Sequence, residues 1–298
     1  MSLLRRMAKT VRHSPGLQSA EWLWNAVRPA YWRMLDPFGR GVAVRAGGVA
    51  EVRIVAAFAD IEWEKYEPES FAAFARWLHE RPDGLVLDVG SSIGIYSAVA
   101  LAEGKNAEVV AFDPDIASLA QMRRKFVHRN PERLRMVHGF VGSTDGEDAS
   151  LAETVARTSA RLTTQEGLDP IRFRYLDPSG APTEGLPCYR LDRLIAANDV
   201  GARDVLIKCD VEGAELHVLR GAERLIGRHR PAMLISVHPT MLPNYGHTND
   251  MLGAFLEGFG YTIRCLADDH EEHWWCTAPA VKLSATGPTL RAAGVGPA

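Results

Sequence analysis

At 298 residues the chain is long enough for one large domain, or for a domain with an added segment. Hydrophobic residues make up 46% and charged residues 24%, an ordinary globular balance. A net charge of −3 supplies no global attraction to nucleic acid or to an anionic membrane, and no apolar run reaches the length of a membrane span.

The N-terminal 34 residues are biased. Arg5, Arg6, Lys9, Arg12, Arg28 and Arg33 stand against the single acid Glu21, with Trp22, Trp24, Tyr31 and Trp32 interleaved. Two readings fit: an amphipathic helix packed over the core, or a helix that meets a membrane surface or a phosphorylated carrier. No secretory signal is visible, because Ala8 to Arg12 interrupts any apolar core. Next, Val42-Ala43-Val44 and Val52 to Val55 read as a strand pair around Gly47-Gly48, and PESFAAFARWLH (68–79) has helical spacing.

Leu85, Val86 and Leu87 form a short apolar run bounded by turn residues on both sides. Ile93, Tyr96, Val99 and Ala100 then recur at helical spacing, so the stretch reads strand, glycine turn, helix. Ala107 to Phe112 is a second buried strand ending in Asp113, followed by a helix from about 117 to 130 and a third strand over 134–138. Residues 143–187 are polar and break this rhythm, which suggests an insertion: a lid, a substrate segment or a surface loop. A fourth strand, 204–209, ends at Asp210 and feeds one periodic helix from Val211 to Ile226, stopped by Gly227. The fifth strand, 232–237, ends at His238. A helix over 249–259 precedes the strands 261–265 and 273–277, which are joined by a polar turn, Asp268 to Glu272. Strands alternating with helices, then a closing hairpin, predict an α/β doubly wound sheet.

Ligands of such sheets bind at the carboxyl ends of the strands. The residues placed there are Asp88 and Gly90, Asp113, Gly139 to Ser143, Asp210 and Glu212, and His238. The turn spaces its glycines as Gly90-x-x-x-Gly94 with Ser92 between them, and lacks the third glycine of a dinucleotide turn. Asp88, two residues before the first glycine, suits a ligand that carries a sulfonium or ammonium, which points to S-adenosylmethionine (SAM). Asp113 lies about 20 residues beyond the turn, where an acid can accept both ribose hydroxyls. Val141 is a candidate for the adenine pocket or for plain packing. Asp210 can equally cap the next helix, with Glu212 in its first turn. The four cysteines, Cys188, Cys209, Cys265 and Cys276, show no CxxC pair and no zinc spacing, which fits a reduced, cytoplasmic setting.

Taken together, DVGSSIG (88–94), AFDPD (111–115), LDRL (191–194), LIKCDVEGAELHVLRGAERLI (206–226) and ISVHP (235–239) resemble the FkbM family of SAM-dependent methyltransferases. A weaker likeness lies in YEPESF (66–71), where Glu67 is a candidate to reach the cofactor. Ser91-Ser92 stands where the family commonly has Ala-Asn, and Asp113 where Glu is usual. The resemblance implies a Rossmann-like class I methyltransferase sheet with a C-terminal antiparallel hairpin and an N-terminal helical extension. The expected division is an extension over 1–60, a methyltransferase domain over 61–285 that includes the insertion 143–187, and a tail over 286–298.

The implied activity is O-methylation of a sugar, glycoconjugate or polyketide-like natural product. The expected cofactor contacts are Glu67, Asp88, Gly90, Ser92, Gly94, Asp113, Val141 and Asp210. For catalysis, His238 is the first choice of base because an unperturbed imidazole titrates near neutrality. Asp210 is the second choice, as base or orienter, and Lys208 is a candidate to steer a substrate oxygen. Asp210, Glu212 and His238 can alternatively hold a divalent metal, a point the sequence leaves open. A homo-oligomer is compatible with the chain, and nucleic acid is not an expected partner. The rival readings are an NAD(P)-dependent oxidoreductase, a nucleic-acid 2′-O-methyltransferase and a non-catalytic SAM-binding module.

Overall fold

The computed structural model describes residues 30–126, 132–144, 146, 149–164, 171–269 and 271–279. Most of the basic aromatic N-terminal segment and the C-terminal tail therefore lie outside the described residues. Residues 30–35 are helical, and the Tyr31 hydroxyl donates to Asp60 at 2.9 Å.

A hairpin, β1 (Val42–Ala46) and β2 (Ala50–Ile54), precedes helix α1 (Pro68–Glu80). Then come β3 (Leu85–Val89), α2 (Ile95–Glu103), β4 (Glu108–Asp113), α3 (Ile116–Phe126) and β5 (Leu134–His138). The two-residue strand β6 (Phe140–Val141), helix α4 (Leu151–Thr164) and its parallel partner β7 (Cys188–Tyr189) follow. After the short helices α5 (Leu191–Leu194) and α6 (Ala197–Val200) come β8 (Val205–Cys209), α7 (Glu215–Arg220), α8 (Glu223–His229) and β9 (Ala232–Val237). Helix α9 (Asn249–Gly258) leads into β10 (Thr262–Asp268) and β11 (Glu272–Thr277).

Seven strands form one sheet in the order β10-β11-β9-β8-β3-β4-β5, parallel except for β11, which runs against both its neighbours. The continuous apolar runs of β3, β8 and β9 follow from burial on both faces. Leu85, Leu87, Ile207 and Ile235 pack to one side, while Val86, Leu206 and Leu234 pack to the other. From β3 the chain winds outward through β4 and β5, then returns to the opposite flank of β3 as β8. The direction reverses between β3 and β8, and a crevice opens at their carboxyl ends.

Two expectations change. The helix predicted from Val211 to Ile226 is two helices, and Gly227 lies inside the second rather than ending it. The break falls at Gly221, where a Cβ would lie 2.1 Å from the Gly142 carbonyl oxygen. The new start at α8 is capped from a distance: Asp192 accepts the amides of Arg224 at 2.9 Å and Leu225 at 2.8 Å. The insertion 143–187 is not all irregular. Its α4 buries Leu151, Thr154, Thr158 and Leu162 beside β5, and residues 171–176 run without regular structure along the crevice.

Candidate active site

The crevice is a cavity of about 310 Å³, a size suited to small ligands. The turn after β3 makes its floor. Gly90 has φ +77°, and a Cβ there would lie 1.7 Å from the Asp210 carbonyl oxygen, so the turn and the end of β8 touch backbone to backbone. The Asp210 amide donates to the Val89 carbonyl at 3.0 Å and locks that contact. Gly94, at φ +75°, starts α2 against Met122, and Ser92 also takes a left-handed conformation, at φ +45°.

Asp88 is buried beneath the turn and accepts the Ser97 amide at 3.1 Å and the Ser97 hydroxyl. Burial pushes its carboxyl up to about 6, although Ser97 and Lys208 pull the other way. Asp113 closes the opposite end of the cavity. Its two oxygens accept the amides of Ser92 and Asp115, each at 2.7 Å, which fixes the plane of the carboxylate. Burial raises its pKa to about 7 against those hydrogen bonds. Val141 lines the same end with Gly139 and Phe140, beneath a cover of residues 171–176.

At the inner end, Lys208 is 1% exposed. Its ammonium donates to Ser236 at 2.7 Å and Asp210 at 3.2 Å, and lies 4.8 Å from the centre of the Tyr96 ring. Burial lowers its pKa, but Asp210, Glu67, Glu271 and Asp88 override that and hold it charged. Asp210 is not a helix cap: α7 begins at Glu215, and Asp210 instead faces the cavity. Glu67 precedes α1 in a left-handed conformation, at φ +45°, and accepts the Tyr96 hydroxyl at 2.6 Å. Glu67 also draws on the Tyr66 hydroxyl, and burial with this negative neighbour raises the pKa of both phenols.

His238 stands behind this wall rather than in it. Its Nδ1 is 2.7 Å from Glu215 and its Nε2 is 2.7 Å from Glu271, with Glu212 at 3.6 Å and Asp210 at 3.7 Å. Burial lowers the imidazole pKa, yet the carboxylates outweigh it and drive it up to about 11. Glu271 moves down through the same contact, against the effect of its own burial. An imidazole engaged at both nitrogens has no lone pair free to take a proton from a substrate.

Seven of the eight expected cofactor contacts line one cavity, and so does Lys208; Gly94 lies outside the lining and instead starts α2 against Met122. Three neighbours escaped the sequence reading. Glu271 fell in the expected polar turn, Glu215 inside the helix expected from Val211, and Tyr96 on the apolar face of the helix after the glycine turn. The closing hairpin carries the signal for Glu271, since β11 runs antiparallel beside β9 and returns its first residues to the carboxyl edge.

The sheet order, its switch point and the carboxylates at the strand ends define a Rossmann-like methyltransferase fold. The chain belongs to the FkbM methyltransferase family, whose domain model matches residues 88–263, more than half of the chain. A curated relative, the AMB antimetabolite synthetase AmbE of Pseudomonas aeruginosa, is 27% identical over 214 residues, 63% of this chain. The matched stretch is 10% of that synthetase. Among solved structures, the FkbM methyltransferase of Methylobacillus flagellatus KT is similar at 19% identity and a TM-score of 0.44, covering 70% of this chain and 52% of that one. A precorrin-6y C5,15-methyltransferase of Geobacter metallireducens GS-15 is similar at 13% identity and a TM-score of 0.40, covering 72% and 90% respectively.

Proposed function

We propose that the chain transfers the methyl group of SAM to a hydroxyl of a sugar, glycoconjugate or polyketide-like natural product. One observation carries the reading. The diol-accepting carboxylate Asp113 and the acceptor-facing pair Lys208 and Asp210 stand at opposite ends of one cavity, with the glycine turn between them. The residues fit the cofactor: the close backbone approach at Gly90 leaves no room for a side chain, and Asp113 presents a fixed carboxylate to a diol. Bound there, SAM supplies an electrophilic methyl on a sulfonium whose sulfur keeps the bonding electron pair. Asp88 and Glu67 supply negative charge on that side, which favours a cationic ligand over a pyrophosphate.

The acceptor side needs a group that receives the hydroxyl proton. Asp210 is the better fit than His238, because it lines the cavity with its side chain 32% exposed while both imidazole nitrogens are engaged. Lys208, held charged beside it, orients the acceptor oxygen and Asp210 together. Positioning of the oxygen in line with the methyl then supplies much of the rate.

Calorimetric titration with SAM, S-adenosylhomocysteine and NAD tests the cofactor, followed by turnover of methyl-labelled SAM on a panel of hydroxylated acceptors. Binding of the two adenosyl ligands alone, with label recovered in a methyl ether, is expected. Binding of NAD alone would overturn the reading in favour of an oxidoreductase, and adenosyl binding without turnover on any acceptor would favour a binding module.

A further inference from the structure

We propose that Asp210, His238 and Glu271 form a divalent-cation site of the manganese or iron(II) type on the inner wall of the cavity, where a cation meets the acceptor oxygen. The acceptor role rests on the O-methyltransferase reading; the cation site itself does not.

Geometry carries the inference. One ligand atom from each of Asp210, His238 and Glu271 lies within 4.8 Å of the others. From Nε2 the separations are 2.7 Å to Glu271 and 3.7 Å to Asp210, with Glu212 Oε2 at 3.6 Å as a possible fourth donor. Metal–ligand bonds of about 2.1 Å put neighbouring ligand atoms roughly 3.0 Å apart in an octahedron and roughly 3.4 Å apart in a tetrahedron. The observed separations bracket both.

Each ligand is also held by its far side. Glu215, itself fully buried, takes His238 Nδ1 at 2.7 Å, the carboxylate–histidine arrangement that turns the other ring nitrogen toward a metal. Asp210 Oδ2 accepts from Lys208, while Glu271 Oε1 lies 3.7 Å from His273 Nδ1, close enough for charge attraction but too far for a hydrogen bond. Once a cation displaces the Nε2 proton that now bridges to Glu271, one nitrogen and two carboxylate oxygens face it, a donor set that suits manganese or iron(II). A second oxygen count agrees: Glu215 Oε2 is buried with no hydrogen-bond partner, which marks this wall as richer in negative charge than its described partners satisfy.

Asp210, Glu212 and Glu271 line the cavity, so open coordination positions face the acceptor. In that arrangement Asp210 would bind the cation through one carboxylate oxygen and keep the other to receive the hydroxyl proton, while the cation would lower the pKa of the hydroxyl that binds it, as it does for water. The neighbouring trio Glu67, Glu271 and His273 is less suited: all three are buried, and Glu67 Oε2 already accepts the Tyr96 hydroxyl.

The test is Mn2+ titration of the chelator-stripped full chain, followed by loss of the free-ion resonance in electron paramagnetic resonance, with S-adenosylhomocysteine titrated separately by calorimetry. One Mn2+ per chain is expected. His238→Ala, Glu271→Gln and the more exposed Asp210→Asn should each weaken it at least about tenfold, and Glu215→Gln by about 10- to 100-fold. Asp250→Asn, on the exposed start of α9, should leave it unchanged. Retained S-adenosylhomocysteine binding in a variant shows that it has folded. No stoichiometric Mn2+ on the native chain, or equal binding by the native chain and the folded site variants, overturns the proposal. A chain that binds Mn2+ but no adenosyl ligand keeps this site and overturns the function reading. One that binds the adenosyl ligand alone does the reverse.

Discussion

Asp113 shows how one buried carboxylate ties affinity to pH. Its side chain keeps its proton to about pH 7, against an ordinary value of 3.8, because burial outweighs the two amides it accepts. Between those values the folded chain holds a proton that the unfolded chain has released, so this group's contribution to stability falls as pH rises through that interval. Ligand affinity moves the opposite way, since a diol donates best to the ionised form. S-adenosylhomocysteine should therefore bind more tightly at pH 8 than at pH 6 in calorimetry. Asp113→Asn should flatten that dependence and weaken binding by roughly 10- to 100-fold, the range of a hydrogen bond to a charged group. A native affinity that does not change with pH would remove Asp113 from the diol contact. Asp113 was legible in the sequence because strand end and spacing fixed its place. Its altered acidity was not, because that depends on the burial imposed by the folded cavity wall, which outweighs the amides of Ser92 and Asp115.

Elements were legible where burial on both faces wrote them as unbroken apolar runs, as in β3, β8 and β9. The helix after β8 was not, because its interruption is imposed from outside. Asp192 is 32 and 33 residues from the amides it caps, and Gly142 takes the space beside Gly221. The LDRL stretch that helped to mark the family is thus a scaffold feature in this chain: Asp192 touches α8 and does not line the cavity. Asp192→Ala should lower stability by about 1 to 2 kcal/mol in urea denaturation, the usual cost of a lost cap. Adenosyl affinity should be unchanged. A matching loss of affinity in a folded variant would show that Asp192 reaches the site through α8.

Across the molecule, two segments distant in sequence complete a cavity that the parallel strands only begin. The stretch 171–176 covers the Asp113 end, where Asp115 accepts the Arg172 amide at 3.2 Å. Phe173 stands 67% exposed there, an apolar side chain with one face toward the cavity and one toward water. Phe173→Ser should weaken adenosyl affinity several-fold while sparing the acceptor KM, which calorimetry and steady-state kinetics separate. An unchanged adenosyl affinity would assign Phe173 to the surface alone. The inner end is completed by Glu271, which no local pattern could reveal, because its place depends on β11 slotting between β9 and β10.

That placement divides the molecule's freedom to vary. The wall that meets the adenosyl group on the proposed reading is built where backbone touches backbone, and a single added methyl at Gly90 has nowhere to go. The facing wall ends in a hairpin tip, and tips accept residues of new length and kind without disturbing the strands that carry them. On the proposed reading, the donor side is therefore inherited intact, and variation at the acceptor end is left to the tip residues that flank Glu271, because Glu271 itself is tied to His238.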